Sequence, residues 1–295
     1  MLELTSSSLA VSLLDPVADL DKLVSPEQAW RYGAGGYIWQ VTDRASGREL
    51  LTGPQGSVPS SEFNPGQGQG IPDSFQWRPI RQNSRDGPAL IIGLGEVESA
   101  DGAVTSLCSW DISRPTVSSI LFKTAHEFER YSLELERTVT LSNRTLRSHT
   151  RINNLGSELP FTWYPHPFFP NVGEPGVDEL CKFSPDATFV DGRDAEPGFK
   201  QDPVSGFISR AQEVGGMGYL GGYDKTRPLT VLQNHPVVGM VAATCSYSPT
   251  YLPIWGNEHA FSWEPFLERW LAPGESYEWS IDYVFGMMGG QPARL

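Results

Sequence analysis

His166 and Glu264 each stand directly before a proline. They lie in the runs Leu159-Pro160-Phe161-Thr162-Trp163-Tyr164-Pro165-His166-Pro167-Phe168-Phe169 and Phe261-Ser262-Trp263-Glu264-Pro265-Phe266. Proline steers the residue before it to extended geometry and removes a ladder donor, so both side chains are presented from stiff backbone at a strand end or edge. An imidazole and a carboxylate held among aromatic rings have tunable proton affinities, which suits a general acid paired with a general base. The surrounding Trp and Tyr rings are of the kind that stacks on the C–H faces of sugars. A histidine in an aromatic segment is also commonly a hydrogen-bonded structural residue, and a glutamate before proline a solvated edge residue. Pattern alone leaves both readings open.

The elements that must position this pair are strands. In Tyr131–Leu141 the apolar residues Tyr131, Leu133, Leu135, Val139 and Leu141 occupy every second position, with Arg137 as the one polar interruption. Tyr277, Trp279, Ile281, Tyr283 and Phe285 alternate in the same way with Ser276, Glu278, Ser280 and Asp282. This is the period of half-buried antiparallel strands. Tyr37, Trp39 and Val41 repeat it before a turn at Asp43–Gly47; Leu146–Asn153 reads as the hairpin partner after Asn143-Arg144, with a further turn at Asn153–Gly156. In the first run Phe161 and Trp163 share one face, and Thr162, Tyr164 and His166 the other; in the second, Phe261 and Trp263 oppose Ser262 and Glu264. No segment carries convincing helical periodicity, beyond short turns near Pro26–Tyr32 and Ala211–Val214. Long loops are expected at Gly53–Asp73 and Asn171–Gly206. The composition does not change along the chain and no tandem repeat occurs, so the expectation is a large antiparallel all-β sandwich forming one domain over residues 1–295.

Charge and composition exclude several classes. Lys+Arg number 22 against 35 Asp+Glu, a net charge of −13, which repels nucleic acid and anionic membrane surfaces. Three widely spaced cysteines, Cys108, Cys181 and Cys245, form neither a disulfide framework nor a zinc motif. The start lacks the pattern of a secretory leader, and no apolar run is long enough to span a membrane, so the sequence reads as soluble and cytoplasmic. Gly66-Gln67-Gly68-Gln69-Gly70 neither follows a strand nor opens a helix, and no Gly-x-Ser-x-Gly elbow is present.

His166-Pro167-Phe168-Phe169, preceded by Asn154-Leu155-Gly156 and Leu159-Pro160-Phe161, resembles the "N-x-G…P-F…H-P-Y-F" segment of the aldose 1-epimerase (galactose mutarotase-like) superfamily. Trp263-Glu264-Pro265 followed by Leu271-Ala272-Pro273-Gly274-Glu275-Ser276 is similar to that family's C-terminal segment. Gly35-Gly36-Tyr37-Ile38-Trp39 through Gly47-Arg48-Glu49-Leu50-Leu51 is similar to its first strands. The likeness runs in order over roughly residues 30–286. It implies a sugar-binding cleft with His166 as general acid toward the ring oxygen O5 and Glu264 as general base toward the C1 hydroxyl. Together they would open the hemiacetal and let it reclose as the other anomer. Such a pair is expected on one cleft with a separation on the order of 5–8 Å. Asp224, in Gly221-Gly222-Tyr223-Asp224, falls where the family often has a substrate-binding Asp, and it also reads as a turn residue after two glycines. Trp163, Trp77 and Arg78 complete the expected substrate contacts. No metal or other cofactor is implied, and the partner is a small sugar bound by a monomer or homodimer.

One departure from the family pattern is plain. Its members usually carry an earlier His-Gly segment, whereas the comparable stretch here, Ile91-Ile92-Gly93-Leu94-Gly95-Glu96-Val97, has no histidine. His126, His149, His235 and His259 read as strand or turn residues. The leading expectation is a sugar 1-epimerase acting on a free aldohexose. Its alternatives are a hexose-6-phosphate 1-epimerase, for which Arg78 and Arg81 would supply the phosphate contacts, and a non-catalytic carbohydrate-binding protein, which the missing histidine favours. A glycosidase using Asp224 and Glu264 as paired carboxylates ranks last.

Overall fold

The computed structural model describes residues 1–19, 31–56, 67–81, 87–98, 103–173, 178–190, 198–211 and 215–286. Every regular element among them is a strand, and no helix is long and apolar enough to cross a membrane. The largest sheet has ten strands in the order Asp111–Thr116, Ser119–Phe128, Tyr131–Ser142, Thr145–Asn154, Ser276–Phe285, Gly239–Cys245, Thr230–His235, Glu179–Ser184, Ile208–Arg210 and Phe199–Gln201. All of its pairings are antiparallel. Asn143 makes the tight connection of the central hairpin possible by taking a positive φ of 52°, a conformation Asn tolerates better than most residues.

Against this sheet lie smaller ones. Leu159–Pro165 runs between Leu267–Leu271 and Asp73–Ser74, and Ala260–Trp263 runs between Phe169–Pro170 and Leu252–Gly256. The alternation read from the sequence is the device that joins the layers. Trp279 of the large sheet stacks on Phe161 with centroids 5.5 Å apart and meets Trp163 edge-on at 5.3 Å. Tyr283 stacks on Trp263 at 6.1 Å. Ring pairs in these geometries add to the burial energy, so the two aromatic runs are fixed by their inward faces. Their outward faces then carry Tyr164, His166, Ser262 and Glu264.

Arg137, the polar interruption in an otherwise apolar strand face, is buried and ion-paired to Asp73 of the opposing layer. Its Nη2 also donates to Ser148 Oγ at 3.1 Å. A charge at a core position is tolerated because it is paired and hydrogen-bonded.

Two of the recognised motifs meet in space for a structural reason. The Asn154 side-chain amide donates to the carbonyls of Ser157, Leu271 and Ala272 at 2.8, 2.9 and 3.0 Å. Gly274 N–H donates to Asn154 O at 2.8 Å. A Cβ on Gly156 would lie 2.4 Å from Ser132 N, so only glycine fits there.

The expected long loop Asn171–Gly206 needs correction. It contains the strands Glu179–Ser184, Thr188–Phe189 and Phe199–Gln201, the first and last of which belong to the large sheet. The buried residues Leu180, Cys181 and Phe183 anchor it, but six residues among Gly and Pro are too few for the pattern to be recognised. The helical turns expected near Pro26–Tyr32 and Ala211–Val214 fall mostly outside the described residues, as does the centre of the Gly53–Asp73 loop.

Candidate active site

His166 leaves the end of the strand Leu159–Pro165, where its N–H donates to Pro72 O at 2.8 Å. Glu264 leaves the strand Ala260–Trp263, where its N–H donates to Pro253 O at 2.9 Å. These anchors turn both side chains toward one cleft of about 490 Å³, within the range of small-molecule sites. His166 Nε2 and Glu264 Oε1 are 3.3 Å apart, and each side chain is only 5 % exposed. The separation of one sugar ring expected from the sequence is therefore replaced by direct contact. O1 and O5 of an aldose are bonded to the same carbon, so two neighbouring groups suffice to serve both.

The imidazole is held on all sides. Its Nδ1 is 2.9 Å from Ser262 Oγ. Phe168 stacks on the ring at 4.4 Å, with Trp255 and Tyr32 at 5.8 and 6.2 Å. Burial, reinforced by the positive Arg31, pushes the His166 proton affinity well below the ordinary histidine range. Burial lifts the Glu264 carboxyl to about 7, against the pull of Arg31. Burial thus favours the neutral form of each group, the carboxyl over the carboxylate and the imidazole over the imidazolium.

Arg31 also lines the cleft and was not singled out from the sequence. Its Nε donates to Tyr164 Oη at 2.9 Å, and its guanidinium lies over the rings of Tyr32 and Tyr164 at 5.2 and 5.7 Å. The only local signal is a single charge next to aromatics, in Trp30-Arg31-Tyr32. The two-residue strand Asp73–Ser74 positions both Arg31 and His166. Ser74 Oγ donates to Arg31 O, Gly33 N–H donates to Asp73 O, and Pro72 O receives the His166 N–H. The buried Arg137–Asp73 pair stands directly behind this strand.

The remaining expected contacts divide. Trp77 lines the cleft mouth, exposed, with its ring edge-on to Phe266 at 5.6 Å. Phe266 in turn stacks on Tyr164 at 4.3 Å. Arg78 also lines the cleft and is ion-paired to Glu268 at 2.9 Å. Trp163 does not reach the cleft. It is buried against Trp279 and Tyr247, because the alternation that turns Tyr164 outward turns Trp163 inward. Asp224 is likewise displaced from the cleft lining. It sits in an exposed turn where its Oδ1 accepts from Thr226 N–H at 2.9 Å and Thr226 Oγ1 at 2.6 Å.

None of the other histidines lines the cleft. His126 accepts the Gly93 N–H at 2.9 Å inside the core, and His235 contacts Leu50 O at 2.7 Å. Among the described residues no group of three or more His, Cys, Asp or Glu side chains is arranged to hold a metal ion.

No protein-family model matches the sequence, and no curated protein does. Solved structures do. The Slr1438 protein of Synechocystis sp. PCC 6803 is 16 % identical, with a TM-score of 0.58 over 96 % of this chain and 94 % of that one. A galactose mutarotase-like protein from Lactobacillus casei ATCC 334 is 16 % identical, with a TM-score of 0.54 over 96 % and 99 %. Another galactose mutarotase-like protein, from Clostridium acetobutylicum, is 15 % identical, with a TM-score of 0.51 over 95 % and 93 %. With its antiparallel sheets and this structural likeness, the chain has the galactose mutarotase-like β-sandwich fold.

Proposed function

We propose that this protein is a sugar 1-epimerase that interconverts the α and β anomers of a free aldohexose. The observation that carries the reading is the buried His166–Glu264 contact at 3.3 Å in an aromatic cleft. Ring opening needs a proton delivered to O5 while one leaves the C1 hydroxyl. A pair that holds one proton between two neighbouring groups has a donor and an acceptor together. The family resemblance assigns the donor to His166 and the acceptor to Glu264; burial favours the opposite resting arrangement. Both arrangements hold the same number of protons, and reclosure on the other face of C1 returns the pair to its starting state. Ser262 fixes the imidazole orientation, and Arg31 supplies a fixed positive charge for the oxygen that becomes more negative. Trp255 and Trp77 line the cleft and offer apolar faces to the sugar ring. The expected setting is cytoplasmic.

A second reading, a hexose-6-phosphate 1-epimerase, draws on Arg78 at the mouth of the same cleft. Arg78 is already matched by Glu268, and this weighs toward the neutral sugar. Polarimetry on freshly dissolved α-glucose, α-galactose and α-glucose 6-phosphate tests the ranking. Faster approach to equilibrium is expected with at least one free hexose. Acceleration confined to the phosphate ester would reverse the ranking, and no acceleration with any of the three would remove the catalytic reading.

A further inference from the structure

The strand Gly216–Gly221 inverts the alternation of the core strands. Its inward face carries Gly216, Gly218 and Leu220, all buried, whereas Met217 and Tyr219 are half-buried on the other face and line the cleft. The inward face has no room for larger residues. A Cβ on Gly216 would lie 2.8 Å from Gly198 Cα, and one on Gly218 2.7 Å from the Phe189 ring. A strand that gives its small residues to the interior and large apolar ones to an open cleft is not using the latter to build the core. An apolar surface so placed marks a ligand site.

The register relates this shelf to the acid–base pair. Ser262, Trp255 and Met217 are successive partners on three neighbouring antiparallel strands, so their side chains share one face of the sheet. Tyr219 follows on that face opposite Pro253, which also lines the cleft. Neighbouring strands are about 4.8 Å apart, so Met217 stands roughly 10 Å across the sheet from Ser262, whose Oγ contacts His166 Nδ1. A hexose with C1 at His166 and Glu264 covers about one of these spacings. It lies over Trp255, whose ring is 5.8 Å from that of His166. The far side of the sugar, C4, then faces Met217 and Tyr219.

The shelf has the chemistry of a neutral sugar site. Met217 and Pro253 are apolar, and Tyr219 joins an aromatic face to a hydroxyl whose side-chain contact is the Met217 sulfur at 3.9 Å. A phenol so weakly engaged can bond a sugar hydroxyl while its ring meets the C–H face. The two arginines of the cleft are engaged elsewhere, Arg31 with Tyr164 and Arg78 with Glu268.

We propose that Met217 and Tyr219 form a second sugar subsite, and that the hexose at His166 and Glu264 is the reducing end of a neutral 4-linked oligosaccharide whose next residue stacks on Tyr219. The inference deepens the reading of the cleft as a sugar 1-epimerase site and rests on it. A reducing end keeps its C1 hydroxyl for anomer exchange, and the glycosidic bond leaves from the opposite side of the ring. A free hexose fills the first subsite alone.

The test is calorimetric titration of glucose against maltose, cellobiose and lactose, of galactose against 4-linked galactosyl-galactose, and of 4-O-benzyl-glucose. At least one disaccharide should bind at least about 10-fold more tightly than its own reducing-end hexose, about 1.4 kcal/mol. Tyr219→Ala and Met217→Ala should each erase most of that gain and leave the free hexose within about two-fold. A smaller gain for every disaccharide overturns the subsite, as does a gain that survives both substitutions. Tighter binding of 4-O-benzyl-glucose than of every disaccharide also overturns it, since the shelf would then take an apolar group rather than a sugar. Anomer exchange on glucose and galactose is a separate readout of the first subsite. Exchange without a disaccharide gain refutes the second subsite alone, and a disaccharide gain without exchange on any of these sugars refutes the epimerase reading alone.

Discussion

Replacing Glu264 by Gln should make the folded protein more stable at alkaline pH while removing its activity. Burial raises the Glu264 carboxyl from 4.5 to about 7, so between these values the folded protein keeps a proton that the unfolded chain has released. Stability contributed by this group is therefore present below about pH 4.5 and is lost as pH rises toward 7. At about 1.36 kcal/mol per pH unit, ionising the carboxyl inside the fold costs on the order of 3 kcal/mol. Gln has the shape of the protonated form and cannot ionise. In urea unfolding followed at several pH values, the variant and its parent should be nearly equal near pH 4, and the variant should be ahead by about 3 kcal/mol at pH 9. The same substitution should lower the anomerisation rate by about 10²–10⁴-fold. A variant that is less stable than the parent at pH 9 would show that the ionised carboxylate is a stabilising partner of Arg31 and His166. The argument from burial would then fail.

Further outcomes follow from the same geometry. His166→Asn should reduce kcat by about 10²–10⁴-fold with a smaller effect on sugar affinity, read by calorimetry beside polarimetry; equal losses in both would make the imidazole a binding group. The rate at low substrate should be flat below about pH 7 and fall above it, because deprotonation of Glu264 leaves the pair without a donor; a rate that rises through pH 7 after correction for the uncatalysed reaction contradicts this. Asp73→Asn leaves Arg137 buried without its counter-charge and should cost about 3–5 kcal/mol in unfolding experiments; a loss below 1 kcal/mol would show that the pair is not what closes the layers. Trp77→Ala should raise KM several-fold with kcat retained, the signature of uniform binding.

The strands were legible in the sequence because their alternation is local, whereas the meeting of His166 and Glu264 was expected from the family resemblance, since pattern alone left both residues open. Period-two alternation put Phe161 and Trp163 on one face and Tyr164 and His166 on the other, and the structure packs the first face into the core and brings His166 to the cleft. Long-range placement was not legible. Asp224 looked like a ligand only through its glycine neighbours, which serve the turn that Thr226 closes. Trp163 was expected in the cleft although the same alternation set it on the face opposite His166, and that face is the buried one. Arg31 reaches the site through hydrogen bonds to residues distant in sequence, Tyr164 and Ser74, and nothing in its own neighbourhood encodes them.

The central claim is that this His166–Glu264 pair exchanges anomers, and magnetisation-transfer NMR on equilibrated galactose and glucose tests it most directly. Saturating the α-anomeric proton should drain the β signal of at least one sugar in the presence of catalytic amounts of the parent protein, at a rate proportional to protein concentration. Glu264→Gln, folded and sugar-bound, should show no transfer above the uncatalysed level. Transfer by the variant as fast as by the parent, or none by the parent with either sugar at saturating concentration, would contradict the account.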